Sequence, residues 1–213
     1  MIISENVFVG ISLHNKYFSK RNISTLLKYS YYWVNELLFL VADSLNRYNY
    51  MLKFRINEKT AVKKSHIEGE QVLNMLFKII SDNKITKPLI TIKKWDEYVP
   101  FISDVQNNLE YLLKHNPMFR NDLTILSQKY LKDKIGLDYM DSDSIKISSK
   151  YIIEEMAISI YISEYTKYHC EIYPGEDIGL VNEIYSNKYG TNILNSILNN
   201  KLQERQYFSL KFE

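Results

Sequence analysis

Apolar residues in this chain fall into short unbroken runs, separated by longer stretches where they recur every three or four positions. Val7, Phe8 and Val9 form the first run, read as a strand over residues 6–10 that stops at Gly10. A second run spans residues 36–42 and ends at Asp43. Unbroken runs of this kind fit strands covered on both faces, as in parallel sheets. Between them, residues 22–33 place Ile23, Leu26, Leu27 and Tyr31 on one helical face, with Asn22 or Ser24 able to cap. Strand, helix and strand make a βαβ unit. Residues 43–50 read as a connection, 58–80 as a long helix, and 88–92 as a β-branched third strand entered by Pro88. Two helices follow over 98–115 and 117–134, the second with proline in its first turn. Residues 145–163 read as another helix. Residues 170–173 read as a short strand before the Pro174–Gly175 turn, and 192–202 as a last helix. No repeat, linker or low-complexity segment interrupts the alternation, so a single α/β domain over residues 1–213 is expected.

Composition narrows the setting. Apolar content of 46% and charged content of 24% are ordinary for a globular chain. Cys170 is the single cysteine, which forbids an internal disulfide and suits a reducing cytoplasm. The first residues lack a basic n-region with an apolar core, and no run approaches ~18 apolar residues, so neither a signal nor a membrane span is expected. A net charge of +2 does not by itself announce a nucleic-acid partner. A local basic segment does exist: Lys53, Arg55, Lys59, Lys63, Lys64 and His66 against Glu58, with Lys59 and Lys63 one helical turn apart. It reads as a phosphate-binding stripe or as a solvated helix face, diluted by Glu68 and Glu70. The acidic loop 136–144, with Asp138, Asp141 and Asp143, lacks a full ligand set and reads as solvated; no metal is expected.

Three groups of residues carry chemistry. Ser12 lies just beyond the first apolar run, where open α/β sheets bind ligands, and Gly10 lets a ligand approach the backbone. A serine nucleophile needs a proton acceptor and a stabilised oxyanion. The Gly-x-Ser-x-Gly elbow of α/β-hydrolases is absent, because His14 stands where its second glycine would be; His14 is itself a candidate base. Tyr151 and Glu155 are four apart and share a helical face among Ile152, Ile153, Met156 and Ile158. They read as a partly buried pair able to bind an ammonium group or relay a proton, or as an exposed tyrosine beside a solvated glutamate. Glu154 is expected to point away. Tyr173 ends the strand at 170–173 on the sheet edge of Ser12, with Tyr168 and His169 as competitors.

Gly10-Ile11-Ser12-Leu13-His14-Asn15-Lys16-Tyr17-Phe18-Ser19 resembles the first motif of the cyclodipeptide synthases, a strand followed by Gly-x-Ser-x-x-Asn-x-Tyr-Phe-Ser. Tyr151-x-x-x-Glu155 resembles the second motif and Tyr173 the third, in the same order and with compatible spacing. Met156–Ala157 replace the Leu–Pro of most relatives, and Asn15 with Pro174 mixes the patterns of the two family branches. The resemblance implies a Rossmann-like α/β domain, a mostly parallel sheet flanked by helices, similar to class I tyrosyl- and tryptophanyl-tRNA synthetase catalytic domains. It implies two aminoacyl-tRNA substrates and a cyclic dipeptide made through aminoacyl-Ser12 and dipeptidyl-enzyme intermediates. Catalytic roles then fall to Ser12, Tyr151, Glu155 and Tyr173. Substrate contacts fall to Val9, Gly10, Asn15 and Leu40, and tRNA contacts to Arg55, Lys59, Lys63 and Lys64. The ester is already activated, and no His-x-Gly-His or Lys-Met-Ser-Lys-Ser signature is present, so no ATP or other cofactor is expected. A monomer is the default expectation.

Overall fold

Alternate residues of the first two strands go to opposite sides of one sheet. Val7, Val9 and Ile11 of β1 (Glu5–Ser12) share a core with Leu37, Phe39 and Val41 of β2 (Val34–Ala42). Phe8 of β1 packs instead with Leu38, Leu40 and Ala42 of β2. Helix α1 (Lys20–Ser30) and the long helix α3 (Glu58–Asp82) close the first side, through Ile23, Leu26, Leu27, Leu73, Leu76 and Ile79. Helices α4 (Ser103–His115), α5 (Pro117–Tyr130) and α6 (Ser142–Tyr165) close the second. Burial on both faces is why these strands read as unbroken apolar runs. The computed structural model describes residues 5–138, 140–174, 177–190 and 206–209.

The sheet has five parallel strands in the order β3-β2-β1-β4-β5, with β3 at Leu89–Lys94, β4 at Cys170–Tyr173 and β5 at Gln206–Ser209. From β1 the chain steps to β2 and β3 on one side, then returns to place β4 and β5 on the other. The reversal leaves a crevice beyond the carboxyl ends of β1 and β4, where such sheets bind ligands.

Several sequence expectations shift. β1 continues past Gly10, and Ser12 is its last residue, paired with Ala42. Helix α1 begins earlier than expected and is capped by Ser19, whose Oγ accepts from Asn22 N–H (3.3 Å), rather than by Asn22 or Ser24. The stretch read as a connection after Asp43 is a 3-10 turn, Ser44–Asn46, followed by helix α2 (Arg47–Phe54). Its buried positions are Tyr48, Tyr50 and Leu52, so tyrosine carries the apolar signal and the aliphatic pattern understates it. Helix α5 passes into a π turn at Leu131–Ile135. Helix α7 (Gly179–Tyr185) was not anticipated, and the helix expected over 192–202 lies outside the described residues. Asp141, from the acidic loop, caps α6 by accepting from Ser144 N–H (2.7 Å). No helix among the described residues is long and apolar enough to cross a membrane.

The end of β2 is tied down by Asp43, which is fully buried. Its Oδ1 accepts from Trp95 N–H (3.2 Å) and its Oδ2 meets His66 Nδ1 (3.1 Å). His66, expected on the basic face, is therefore held between Asp43 and Asp96 (3.3 Å). Helix α3 approaches closely enough for this only because Gly69 has no side chain; a Cβ there would stand 2.3 Å from Asp43 Cβ. Alanine in a helix interior gains about 1 kcal/mol over glycine, whereas overpacking costs about 1–3 kcal/mol. A Cβ-to-Cβ clash cannot be relieved by a flexible tip, so the cost prevails. Gly69→Ala is expected to lower the unfolding free energy by a net of up to ~2 kcal/mol, seen as a lower urea midpoint; an unchanged or higher midpoint would contradict this packing.

Candidate active site

The corner around Ser12 is built by its own short loop. Beyond the end of β1, His14 adopts a left-handed backbone (φ 63°) that turns the chain into a 3-10 turn at Lys16–Phe18. Asn15 caps that turn: its Oδ1 accepts from Tyr17 N–H (3.0 Å). This contact fixes the amide, so Nδ2 faces the other way and donates to the Tyr173 phenol oxygen (3.1 Å). Tyr173 OH lies 3.0 Å from Ser12 Oγ, where the proton can be carried by either oxygen. Phe18 braces the Tyr173 ring edge-on at 5.8 Å between centroids. Burial, and then the negative charge of Glu155, push the Tyr173 phenol above its ordinary range, so it stays protonated at neutral pH. Of the two tyrosines left open by the sequence, Tyr173 touches Ser12. Tyr168 is buried in the helical core and does not line the cleft.

Ser12 and Glu155 line one cleft, at the switch between β1 and β4, that opens to solvent. Gly10, Leu40, Ala42, Trp95, Ile158 and Tyr173 complete most of its wall. A Cβ built on Gly10 would meet nothing within 4 Å, so the floor of the cleft is open there. Val9 does not belong to the site: strand alternation sends it into the α1–α3 core, fully buried on the far side of the sheet. Tyr151 donates to Glu155 Oε1 at 3.4 Å, a long bond, and its ring stacks on Tyr130 (4.7 Å between centroids). Complete burial, then the Glu155 charge, hold the Tyr151 phenol well above its ordinary range. The sequence reading missed Glu171, a second carboxylate in the cleft that accepts from Ser159 Oγ (2.7 Å). Glu171 stands two residues before Tyr173 on β4, so strand alternation puts both on one face, a signal that could have flagged it.

A family model described as Cyclodipeptide synthase matches residues 3–165. The chain belongs to the cyclodipeptide synthase family. No curated protein sequence matches it. Among solved structures, a cyclodipeptide synthase from Fluoribacter dumoffii superposes with a TM-score of 0.81 at 16% identity, covering 98% of this chain and 90% of that one. One from Candidatus Glomeribacter gigasporarum, bound to Phe-tRNAPhe, gives 0.65 at 18% identity over 100% of this chain and 91% of its own. A Mycobacterium tuberculosis protein, described as demonstrating that cyclodipeptide synthetases are related to type I tRNA synthetases, gives 0.69 at 14% identity over 85% and 78%. At these identities the likeness of structure speaks for the fold, a five-stranded parallel α/β sheet flanked by helices.

In this cyclodipeptide synthase the basic segment stands at the α2–α3 turn and along the first turns of α3. Lys59, Lys63 and Lys64 are exposed on α3. Arg55 ends α2 in a left-handed conformation (φ 53°), with its guanidinium 3.5 Å from Asp141. His14 is not placed as a base for Ser12: its Nε2 sits 2.9 Å from Tyr50 OH and 2.5 Å from Glu68 Oε2. Cys170 is buried, and that burial, with Glu5 and Glu171 nearby, pushes its thiol up to about 12, so it is no nucleophile at neutral pH. Among the described residues, no group of three or more His, Cys, Asp or Glu side chains converges as a metal site.

Glu154 corrects the sequence reading most sharply. It points away from the cleft, as expected, but not into water; it is 4% exposed. Arg47 clasps it with Nη1 on Oε1 (3.0 Å) and Nη2 on Oε2 (2.6 Å). Tyr48 OH donates to Oε2 (3.0 Å) and Trp95 Nε1 to Oε1 (3.0 Å). Four charge-assisted bonds thus join α6 to α2 and to the turn after β3. Without Glu154, the largely buried Arg47 keeps only the exposed Glu58 as a counter-charge, and Tyr48 and Trp95 lose their acceptor. Glu154→Ala is therefore expected to lose about 3–5 kcal/mol in chemical denaturation. Glu155→Gln, on the cleft wall, should leave the midpoint nearly in place. Equal losses in the two variants would refute the division of roles between these neighbours.

Proposed function

We propose that the chain joins the amino acids of two aminoacyl-tRNAs into a cyclic dipeptide, with Ser12 as covalent carrier. The observation that carries this reading is the Asn15–Tyr173–Ser12 hydrogen-bonded set, with Ser12 and Tyr173 lining the same cleft as Glu155 and Tyr151 bonded to Glu155 from the core side. Ser12 Oγ attacks the ester carbonyl of the first substrate. The C–O bond to the tRNA ribose breaks, and the Ser12 proton ends on the departing ribose oxygen. Because the ester is already activated, no ATP is required. Glu155, with Tyr151 beside it, supplies the anion that grips the ammonium of the bound aminoacyl group.

A dipeptide that remains on Ser12 requires the bound amine to be the second nucleophile. Glu155 takes one proton from the ammonium, and the amine attacks the ester carbonyl of the second aminoacyl-tRNA; the C–O bond to that ribose breaks, and the proton the nitrogen loses as the amide forms ends on the departing ribose oxygen. The new amino terminus then attacks the seryl ester, which closes the six-membered ring and returns the hydroxyl to Ser12. Tyr173, kept protonated by its buried setting and already bonded to Ser12, is placed to hand a proton to that leaving oxygen. Leu40, Ala42, Trp95 and Ile158 make an apolar wall, which favours apolar amino acids such as Leu, Phe or Met. One methylene in such a wall changes binding by only ~1–3 kcal/mol, so mixed products are expected. Arg55, Lys59, Lys63 and Lys64 would meet acceptor-stem phosphates. The reaction would take place in the cytoplasm, with the protein acting as a monomer.

Expression of the wild type in a bacterium should release cyclic dipeptides detectable by mass spectrometry of the medium, and Ser12→Ala should release none. Intact-mass analysis after quenching with charged tRNA should show one aminoacyl mass on wild-type protein. Product without any acyl-enzyme would rule out the covalent route, whereas an acyl-enzyme that yields only free amino acid would make the protein a hydrolase.

A further inference from the structure

Phe54, at the last turn of α2, leaves 53% of its surface in solvent. Its ring stacks on the buried Tyr50 at 5.7 Å between centroids and 27° between planes. Lys64 from α3 sets its ammonium 4.5 Å from the centre of the Phe54 ring and 4.8 Å from that of Tyr50. The pair therefore joins an exposed π face to a positive charge. The same Tyr50 reaches the nucleophile loop, since its hydroxyl lies 2.9 Å from Nε2 of His14, two residues beyond Ser12. Lys53, Lys59 and Lys63 are exposed on the same two helices. The acids nearby are already engaged: Glu58 with Arg47, Glu68 with His14 and Tyr50, Asp141 with Arg55.

We propose that Phe54 is a stacking platform for an unpaired nucleotide near the 3′ end of the RNA substrate. The inference rests on the aminoacyl-tRNA reading above, and it adds a base contact to what would otherwise be phosphate contacts alone. Any ester delivered to Ser12 trails its own nucleotides away from the cleft, and the Ser12–His14–Tyr50–Phe54 path leads from the nucleophile to the basic surface. Surfaces that hold single-stranded nucleic acid combine aromatic faces with cations in this way, because every base has a π face and every linkage a negative charge. A paired stem hides its base faces, so only unpaired nucleotides can use the ring.

The test compares two synthetic RNAs by fluorescence anisotropy with the full chain: an acceptor-stem hairpin with a short unpaired 3′ extension, and the same hairpin with a blunt end. Phe54→Ala and Phe54→Leu should each weaken binding of the extended RNA about tenfold and leave the blunt RNA unaffected. Leucine keeps the apolar bulk and so guards against a folding defect, while Phe54→Trp should bind the extended RNA as tightly as wild type. Lys59→Ala and Lys63→Ala should weaken both RNAs alike and flatten the salt dependence. Equal losses on both RNAs in the Phe54 variants, no loss on the extended one, or failure of wild type to bind either, would overturn the proposal. The two readings fail separately. Cyclic dipeptide from wild type with unselective Phe54 variants removes the platform alone; selective variants of a protein that makes no cyclic dipeptide remove the activity alone.

Discussion

Two adjacent carboxylates on a helix buried nearly all round govern the architecture of this site. Residues 151–164 of α6 are packed against α2, α4 and α5, and few of them reach solvent. Successive helical residues are rotated by about 100°, so Glu154 and Glu155 cannot share a destination, and a charge in such surroundings must find partners or be neutralised. Arg47, Tyr48 and Trp95 meet the first; the cleft receives the second. The first clamp sets the rotation of α6 about its own axis and thereby the direction in which Glu155 projects.

Across the cleft, Ser12 depends on a different set of contacts. Asn15 uses its carbonyl to cap a turn of its own loop and its amide nitrogen to orient a phenol from a strand more than a hundred residues away. Ser12 is thus fixed from two sides, by its place on the central strand and by Tyr173 at the end of the neighbouring one. The spacing Gly10-x-Ser12-x-x-Asn15-x-Tyr17 has a physical content here: strand end, left-handed turn, cap.

Unbroken apolar runs made β1, β2 and the parallel sheet legible, because burial on both faces leaves no polar alternation to mislead. The Tyr151–Glu155 pair was legible from helical spacing. Strand periodicity, had it been applied to residues 7–12, would have excluded Val9 while keeping Gly10 and Ser12. Helix α2 was hidden because tyrosines occupy its buried positions. Arg47, Tyr48 and Trp95 carried no local signal at all: their roles exist only through contacts with Glu154, far along the chain. β4 was legible as a short strand but β5 was not, and its pairing partner is set by the fold rather than by any motif.

Trp95 belongs to two assemblies at once. Its indole N–H holds Glu154 beneath the surface while its ring forms part of the cleft wall. Replacing Trp95 would remove one of the four bonds that hold Glu154 on the helix carrying Glu155, so a reshaped wall there would come with a less stable fold. Leu40, Ala42 and Ile158 also pack in the core, but none of them holds a buried charge. Small aliphatic exchanges at those positions would therefore reshape the wall at less cost to the fold than any replacement of the tryptophan.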